Sequence, residues 1–566
     1  MAHAIQSNIR KMKKQQIKAL PILTCLVLAC LLKGRSQTIV LPQGLDLMRR
    51  SQLAGLTDST ISGTLNMLEV PVATLDSIAP YKSKNNGILF QQDNNKVQLL
   101  PVQLTQQVNL KLPYAWNIAP MIPAKGYQAL LSPGVYAQFG KHITVQVSPQ
   151  LVYAANPDYL NAPKEFVPVE WSTYSHWTNT IDMPEHFGGK NYVHLYPGQS
   201  SIRYNTGKIS IGVSTENMWW GPGTYNALIL SNNAPGFLHG TINTIKPIET
   251  GIGSFEGQVI AGKLDNTSYP SPGEYAVYNG AFLNDPKFNQ WRYMTGMIVT
   301  WQPKWVKHLS LGIAKASYQY HSKLTSPLDF LPLQGFFGKA VTRSEKEGSK
   351  ASMGSLFVRY WMPSEKAEIY IEYGRGDRSL MPTGIFQDHQ YPRAYVMGIR
   401  KLFDNRDGSH IQLLLELCQM QLPTGDLTMN NPQSWYTHSY VRQGYTQDGR
   451  VLGAGIGPGS NSQTLEVSWI KGSKKLGVKL ERYLHNNDLY YYTFSYIQDY
   501  TRKWVDLSTT FNAEWNYKQF VFSGNLGFIR ALDYQWQVLR TDGNEKFYRG
   551  YDVFHLNGTV SAAFRF

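Results

Sequence analysis

Apolar and polar residues alternate with a period of two along much of the chain. In residues 142–153, Ile143, Val145, Val147, Leu151 and Tyr153 share one parity, and His142, Thr144, Gln146 and Ser148 the other. In residues 366–373, Ala367, Ile369, Ile371 and Tyr373 stand opposite Lys366, Glu368 and Glu372. Leu507, Thr509, Phe511, Ala513, Trp515 and Tyr517 face away from Ser508, Asn512, Glu514 and Asn516. This alternation predicts strands with one apolar and one wet face, and about 18 such segments follow one another. Gly140-Lys141, Thr206-Gly207 and Gly472-Ser473 predict short turns, whereas residues 156–198, 216–255, 324–350 and 421–461 are long connections. Pro149 falls inside a strand pattern and predicts a bulge. Leu45, Met48, Leu53 and Leu56, between Pro42 and Gly55, instead approach helical spacing and predict a short helix.

The end of the chain separates a membrane barrel from a soluble sandwich. Phe554, Leu556, Gly558, Val560, Ala562, Phe564 and the terminal Phe566 share one parity, with His555, Asn557, Thr559, Ser561 and Arg565 between them. A terminal amphipathic strand ending in Phe resembles the assembly signal of outer-membrane barrels. A closed barrel is the only sheet that can span lipid, because it pairs every backbone group internally. Composition agrees: 13% of residues are aromatic and only 16% charged, with mean hydropathy −0.31, which excludes a polytopic helical membrane protein. The expected fold is all-β, a transmembrane antiparallel β-barrel of about 18 strands, with a short helical N-terminal segment as a periplasmic-side plug.

The first 36 residues read as an export signal. Arg10, Lys11, Lys13, Lys14 and Lys18 precede an apolar run at 19–32, and Gly34-Arg35-Ser36 offers a cleavage site before Gln37. Residues 1–36 are therefore expected as signal peptide, 37–85 as a helical or irregular plug, and 86–566 as the barrel. Removing the seven Lys and Arg of the signal lowers the net charge from +15 to +8. No Lys/Arg block remains, so a nucleic-acid partner is unsupported. Cys418 is the one cysteine left, which excludes an internal disulfide.

Two stretches break the strand pattern. One runs Met218-Trp219-Trp220-Gly221-Pro222-Gly223-Thr224-Tyr225-Asn226 and on to Ser231-Asn232-Asn233-Ala234-Pro235-Gly236-Phe237. The other carries Tyr436-Thr437-His438, Arg442, Gly444 to Arg450, and Gly453 to Gln463. Together they resemble the capsule assembly Wzi family of outer-membrane proteins, over essentially the whole mature chain. The resemblance implies an 18-stranded barrel plugged by N-terminal helices, and a lectin-like role in attaching capsular polysaccharide to the cell surface.

The residues suggest how binding would work. Trp219 and Trp220, on a loop fixed by Gly221, Pro222 and Gly223, offer flat faces for the C–H faces of sugars. Asn226, Asn232 and Asn233 supply donors and acceptors matched to hydroxyls. In the second stretch, Arg442 and Arg450, beside His438, could pair with carboxylates of an acidic glycan. The structural alternatives are a tryptophan pair packed in the lumen, asparagines satisfying a turn, and an internal Arg450–Asp448 bridge. Gly453-Ala454-Gly455-Ile456-Gly457 precedes a strand and has no P-loop lysine, so it is not a nucleotide site. Tyr490, Tyr491, Tyr492, Tyr496 and Tyr500 are expected in an interfacial aromatic girdle.

No G-x-S-x-G, H-E-x-x-H, C-x-x-C or Ca-loop pattern occurs, so no enzyme, metal or cofactor is expected. The expected partners are capsular or exopolysaccharide, outer-membrane lipid, and the barrel-assembly machinery through the strand ending in Phe566. A glycan export conduit is the competing reading, and it requires an open lumen.

Overall fold

The computed structural model describes residues 38–41, 44–56, 69–80, 87–159, 166–272, 277–278, 280–282, 287–325, 327–330, 350–376, 392–423, 433–494, 501–539 and 549–566. The expected signal segment, most of residues 57–68 and Tyr496 and Tyr500 lie outside them.

Eighteen antiparallel strands close into one barrel. They are β1 (Asn95–Asn109), β2 (Gly126–Phe139), β3 (Ile143–Val147 and Gln150–Ala154), β4 (Tyr192–Tyr196 and Ser201–Asn205), β5 (Ile209–Ser214) and β6 (His239–Thr244 and Ile248–Thr250). Next come β7 (Gly253–Leu264), β8 (Arg292–Pro303), β9 (Leu309–Tyr320), β10 (Lys350–Met362), β11 (Ala367–Gly376) and β12 (Arg393–Asp404). The last are β13 (His410–Gln419), β14 (Asn461–Lys471), β15 (Lys474–Leu484), β16 (Val505–Tyr517), β17 (Phe520–Leu532) and β18 (Val553–Phe564). Pairing of β18 with β1, from Asn557↔Asn109 to Phe564↔Val102, closes the wall and leaves no free edge. Among the described residues, four α-helices accompany the strands: α1 (Gly44–Leu53), α2 (Val72–Ile78), α3 (Pro168–Thr178) and α4 (Asn487–Phe494).

Strand parity sets which side chains meet lipid. On β13, Leu413, Leu415 and Leu417 point outward at 37% exposure each, while Gln412, Leu414, Glu416 and Cys418 are buried inside. Ile202 and Tyr204, 61% and 50% exposed between buried Ser201, Arg203 and Asn205, repeat the pattern on β4. An uncovered apolar belt around the whole wall, enclosing a polar interior, is stable only in a bilayer.

Connections between strands differ at the two ends. One rim has tight turns such as Gly140-Lys141 and Gly472-Ser473, where the glycines adopt φ of +62° and +60° that other residues resist. The opposite rim carries the connections 110–125, 155–191, 215–238, 265–291, 420–460 and 485–504. Phe139, Trp305, Phe403 and Tyr517 are exposed at the short-turn rim, and Tyr127–Tyr153 and Tyr373–Tyr395 pair at the other. These supply the aromatic girdle. Tyr490, Tyr491 and Tyr492 do not: they sit on α4, packed against α3, with Tyr490 fully buried. Consecutive tyrosines there follow a helix, so only a part of them faces any one surface.

At Pro149 the interruption is broader than a single bulge. Pro133 on β2 and Pro149 lie opposite each other, Pro101 sits where the β1–β2 register shifts, and β4 breaks at 197–200. Side chains replace the missing ladder bonds, as lipid requires. Ser148 N–H donates to Ser200 Oγ at 2.9 Å, Gln146 Nε2 to Gln199 O at 3.1 Å and Thr215 Oγ1 to Gly198 O at 2.8 Å.

Candidate functional site: the filled lumen and its aromatic rim

The lumen is filled from the short-turn end upward. Helix α1 lies inside the wall with every residue buried, although it carries Asp46, Arg49 and Arg50. Asp46 pairs with Arg400 at 2.6 Å, Lys475 at 2.7 Å and Arg50 at 2.8 Å, and Arg50 reaches Glu514 at 2.7 Å. Arg50 Nη2 also donates to Ser473 O at 2.9 Å, which places α1 beside the β14–β15 turn. Burial works against the Asp46 carboxylate, yet Lys475, Arg400 and Arg50 together hold it well below its ordinary range. Such a web adds little net stability, but a single orientation of α1 satisfies it. Below, Arg565 ties α2 to the last strand through Asp76 at 3.1 Å and Ala79 O at 2.7 Å.

The WWGPG loop stacks on α1. Arg49 Nη1 donates to Pro222 O and, at 3.3 Å, to Thr224 Oγ1. Glu416, on β13, receives the turn that follows. Thr224 N–H donates to it at 2.5 Å, Asn226 N–H at 2.9 Å, Asn226 Nδ2 at 3.1 Å and the Tyr370 hydroxyl at 2.7 Å. Gly223 is required because a Cβ there would lie 1.7 Å from Asn226 O. Trp219 is 3% and Trp220 0% exposed; their indoles donate to Gly223 O at 3.1 Å and Gln258 Oε1 at 3.1 Å. Gly296 on β8 leaves room for Trp220, whose ring would otherwise meet a Cβ at 3.0 Å.

The second stretch closes over the first. Ser231 N–H donates to Leu452 O at 2.8 Å, and the Tyr436 hydroxyl donates to Leu228 O at 2.8 Å. Asn232 Nδ2 donates to Asn117 O at 3.0 Å and Asn233 Nδ2 to Val451 O at 3.0 Å. Arg450 donates to Met121 O, to Ala115 O at 3.2 Å and to Asn233 Oδ1 at 3.1 Å. Burial lowers the Arg450 pKa to about 10, with Tyr196, Tyr192 and Asp448 acting in the other direction. Its partners are carbonyls and an amide; no bridge to Asp448 forms, and Asp448 instead accepts from the Tyr196 hydroxyl at 3.0 Å. His438 Nδ1 accepts from Val441 N–H at 2.9 Å. Thus Trp219, Trp220, Gly221, Pro222, Gly223, Asn226, Asn232, Asn233, His438 and Arg450 are all buried, with Trp219–Gly223 and Arg450–Asn233 hydrogen-bonded to each other and the rest held among other groups of the interior, and Arg442 alone of the set is half-buried.

Above this filling lies an aromatic rim, of which the sequence reading named Tyr490, Tyr491 and Tyr492 as girdle residues and did not single out the aromatics of α3. Pro168 opens α3, where Val167 N–H donates to Glu170 Oε2 at 2.8 Å, and Arg502 approaches Glu170 at 3.6 Å. Phe166, Tyr174, Trp177, Tyr490, Phe494 and Trp536 form the cluster's core, and Trp171, Tyr491, Tyr492 and Trp504 pack against it half-buried. Lys503 Nζ lies 5.7 Å from the Tyr491 ring centre. Elsewhere on this rim Tyr440 is 65% and Phe288 66% exposed. Trp171, Tyr174 and Trp177, three residues apart, were the available signal for the part on α3. Among the described residues, no group of three or more His, Cys, Asp or Glu is arranged to hold a metal ion.

A closed, plugged, lipid-belted barrel with an aromatic cap defines the class: an integral membrane barrel whose interior serves packing and whose long-loop face is free for contacts. The family model of capsule assembly protein Wzi matches residues 125–520, and the chain belongs to that family. Among solved structures, the chain resembles Wzi of Escherichia coli, described as an outer-membrane protein involved in group 1 capsule assembly and a carbohydrate-binding β-barrel. The TM-score is 0.52 at 12% identity, over 82% of this chain and 84% of that one. OccAB2 of Acinetobacter baumannii follows at TM-score 0.40 and 9% identity, over 84% of this chain and 98% of that one. No curated protein sequence matches.

Proposed function

We propose that this protein is an outer-membrane, lectin-like barrel that attaches and organises capsular polysaccharide at the cell surface. The observation that carries the reading is a lumen packed from α1 to the second motif beneath a rim of half-exposed aromatic side chains. That arrangement disfavours a glycan conduit, which needs open passage, and suits binding from outside without catalysis. Short turns then face the periplasm and long loops the exterior.

In this reading Trp171, Tyr491, Tyr492 and Tyr440 present ring faces to sugar C–H faces, and Arg442 pairs with glycan carboxylates. Trp219, Trp220, Asn226, Asn232, Asn233 and Arg450 hold the platform from below. Phe566, edge-on to Phe564 at 5.2 Å, completes the strand that the assembly machinery takes up.

Removal of the protein from its host should shift capsular glycan from the cell pellet to the medium. Wild-type protein should restore retention, and a folded Trp171→Ala/Tyr491→Ala variant should not. Unchanged retention in cells lacking the protein would refute the reading.

A further inference from the structure

The filling of the lumen leaves a space along one side. A cavity of about 180 Å³ runs along the inner wall from Leu45 and Asp46 on α1 to Tyr114 and Asp506 near the long-loop rim. It holds on the order of a dozen waters and falls below the ~300 Å³ of ordinary ligand pockets, so it suits one sugar ring rather than a chain.

The two sides of this slot differ in chemistry. One side offers uncharged groups: Ser508, Thr510 and Asn512 on β16, Ser523 and Asn525 on β17, and Thr559 on β18. The other side is aromatic, with Trp116, Tyr225 and Trp219 from the plug and Tyr483 from β15, and Glu466, Lys475, Lys479, Glu481 and Asp506 add charge from the wall. Charged groups at the slot are already paired: Lys479 with Glu481 at 3.2 Å, and Lys475 with Asp46 at 2.7 Å and Glu466 at 2.6 Å. Hydroxyl and amide groups facing aromatic rings complement a pyranose, which carries hydroxyls at its edge and C–H groups on its face.

A chain of aromatic contacts, buried at Tyr174 and Trp536, ties the slot to the rim. Trp171 meets Tyr174 at 5.9 Å, Tyr174 meets Trp536 at 6.4 Å, and Trp536 meets Trp504 at 5.2 Å between ring centres. His485 stacks on Trp504 at 3.7 Å and lies 3.8 Å from Tyr483, which stands 5.9 Å from Trp116. Lys479 Nζ then sits 5.4 Å from Trp116 and 5.3 Å from Tyr225.

From this geometry we propose that the slot is a socket for the terminal, uncharged pyranose of a glycan whose chain the rim aromatics hold above it. The inference rests on the glycan-binding reading above and adds to it a second, luminal contact selective for chain ends. Because the carboxylates lining the slot (Asp46, Glu466, Glu481 and Asp506) outnumber its lysines (Lys475 and Lys479), a terminal uronic acid is excluded by like charge.

The test is calorimetric titration of the full-length, detergent-folded protein with two probes. These are the intact capsular glycan extracted from the source cells and short oligosaccharides released from it by partial hydrolysis. Asn525→Trp fills the slot, and Ser523→Phe serves if that variant fails to fold, as judged by heat-modifiable gel migration. The expected result is about tenfold or greater weakening for the oligosaccharides, with intact glycan bound within about twofold of wild type. Oligosaccharide binding that is unchanged in the filled variant overturns the socket, as does intact glycan binding with no oligosaccharide binding in the wild type. Failure of both probes to bind wild-type protein overturns the glycan-binding reading itself, and the socket with it.

Discussion

Trp220 is fully buried between Gln258, the Gly296 notch and the core that links both motifs. Truncating it leaves a large hole and an unpaired Gln258 acceptor. Trp220→Ala should therefore destabilise the folded barrel by roughly 3–5 kcal/mol, read as an earlier loss of the compact band on heated gels. An unchanged transition would place the ring outside the packing. Asp488 on α4 gives a second, pH-dependent prediction. Its carboxylate accepts from Leu422 N–H at 2.8 Å and from Ser434 Oγ, and burial pushes its pKa up to about 7. The folded rim thus holds a proton that an unfolded Asp, with pKa ~3.9, releases. Rim stability should be full at the acid end, fall as pH rises from about 4 to about 7, and level off above. Amide protection factors in residues 433–441, which take out the intrinsic pH dependence of exchange, should be lower at pH 8 than at pH 5.5, and Asp488→Asn should remove the difference. Equal protection factors at the two pH values in the wild type would contradict the assignment.

Helix α1 is the element on which the closed lumen depends. Asp46 pairs with Arg400, Lys475 and Arg50, so Asp46→Ala takes one of two carboxylate partners from each of three buried cations, which keep Glu368, Glu466 and Glu514. The buried positive charge left in excess costs about 3 kcal/mol, enough to loosen a short plug. The variant should conduct in planar bilayers where wild type stays closed, and a closed variant would show that packing alone retains the plug. The strands were legible in the sequence because lipid on one side and a wet lumen on the other impose parity, as on β13 and β18. The helix of residues 44–53 was legible from Leu45, Met48 and Leu53, but not its use of Asp46 and Arg50, since ion partners four hundred residues away leave no local trace. Pro149 marked a break in one strand. Its extension through Pro133 depends on register, which single-strand patterns do not carry.

At the scale of the whole molecule, two long connections turn inward and one aromatic cap remains outside. The sequence marked Trp219, Trp220 and the asparagines because they interrupt the strand pattern. It did not mark which way the loop folds, and Glu416, the carboxylate that anchors it, looked like any luminal charge. Tyr490 to Tyr492 were legible as interfacial by composition, whereas their place on α4 depends on packing against α3. A molecule built in this way should bind its glycan from outside while passing no current. The most direct test is titration of detergent-folded protein with the host's extracted capsular glycan, alongside a folded Trp171→Ala/Tyr491→Ala variant. Saturable binding in the wild type, weakened at least about tenfold in the variant, is the predicted result. Absence of saturable binding by the wild type would contradict the account.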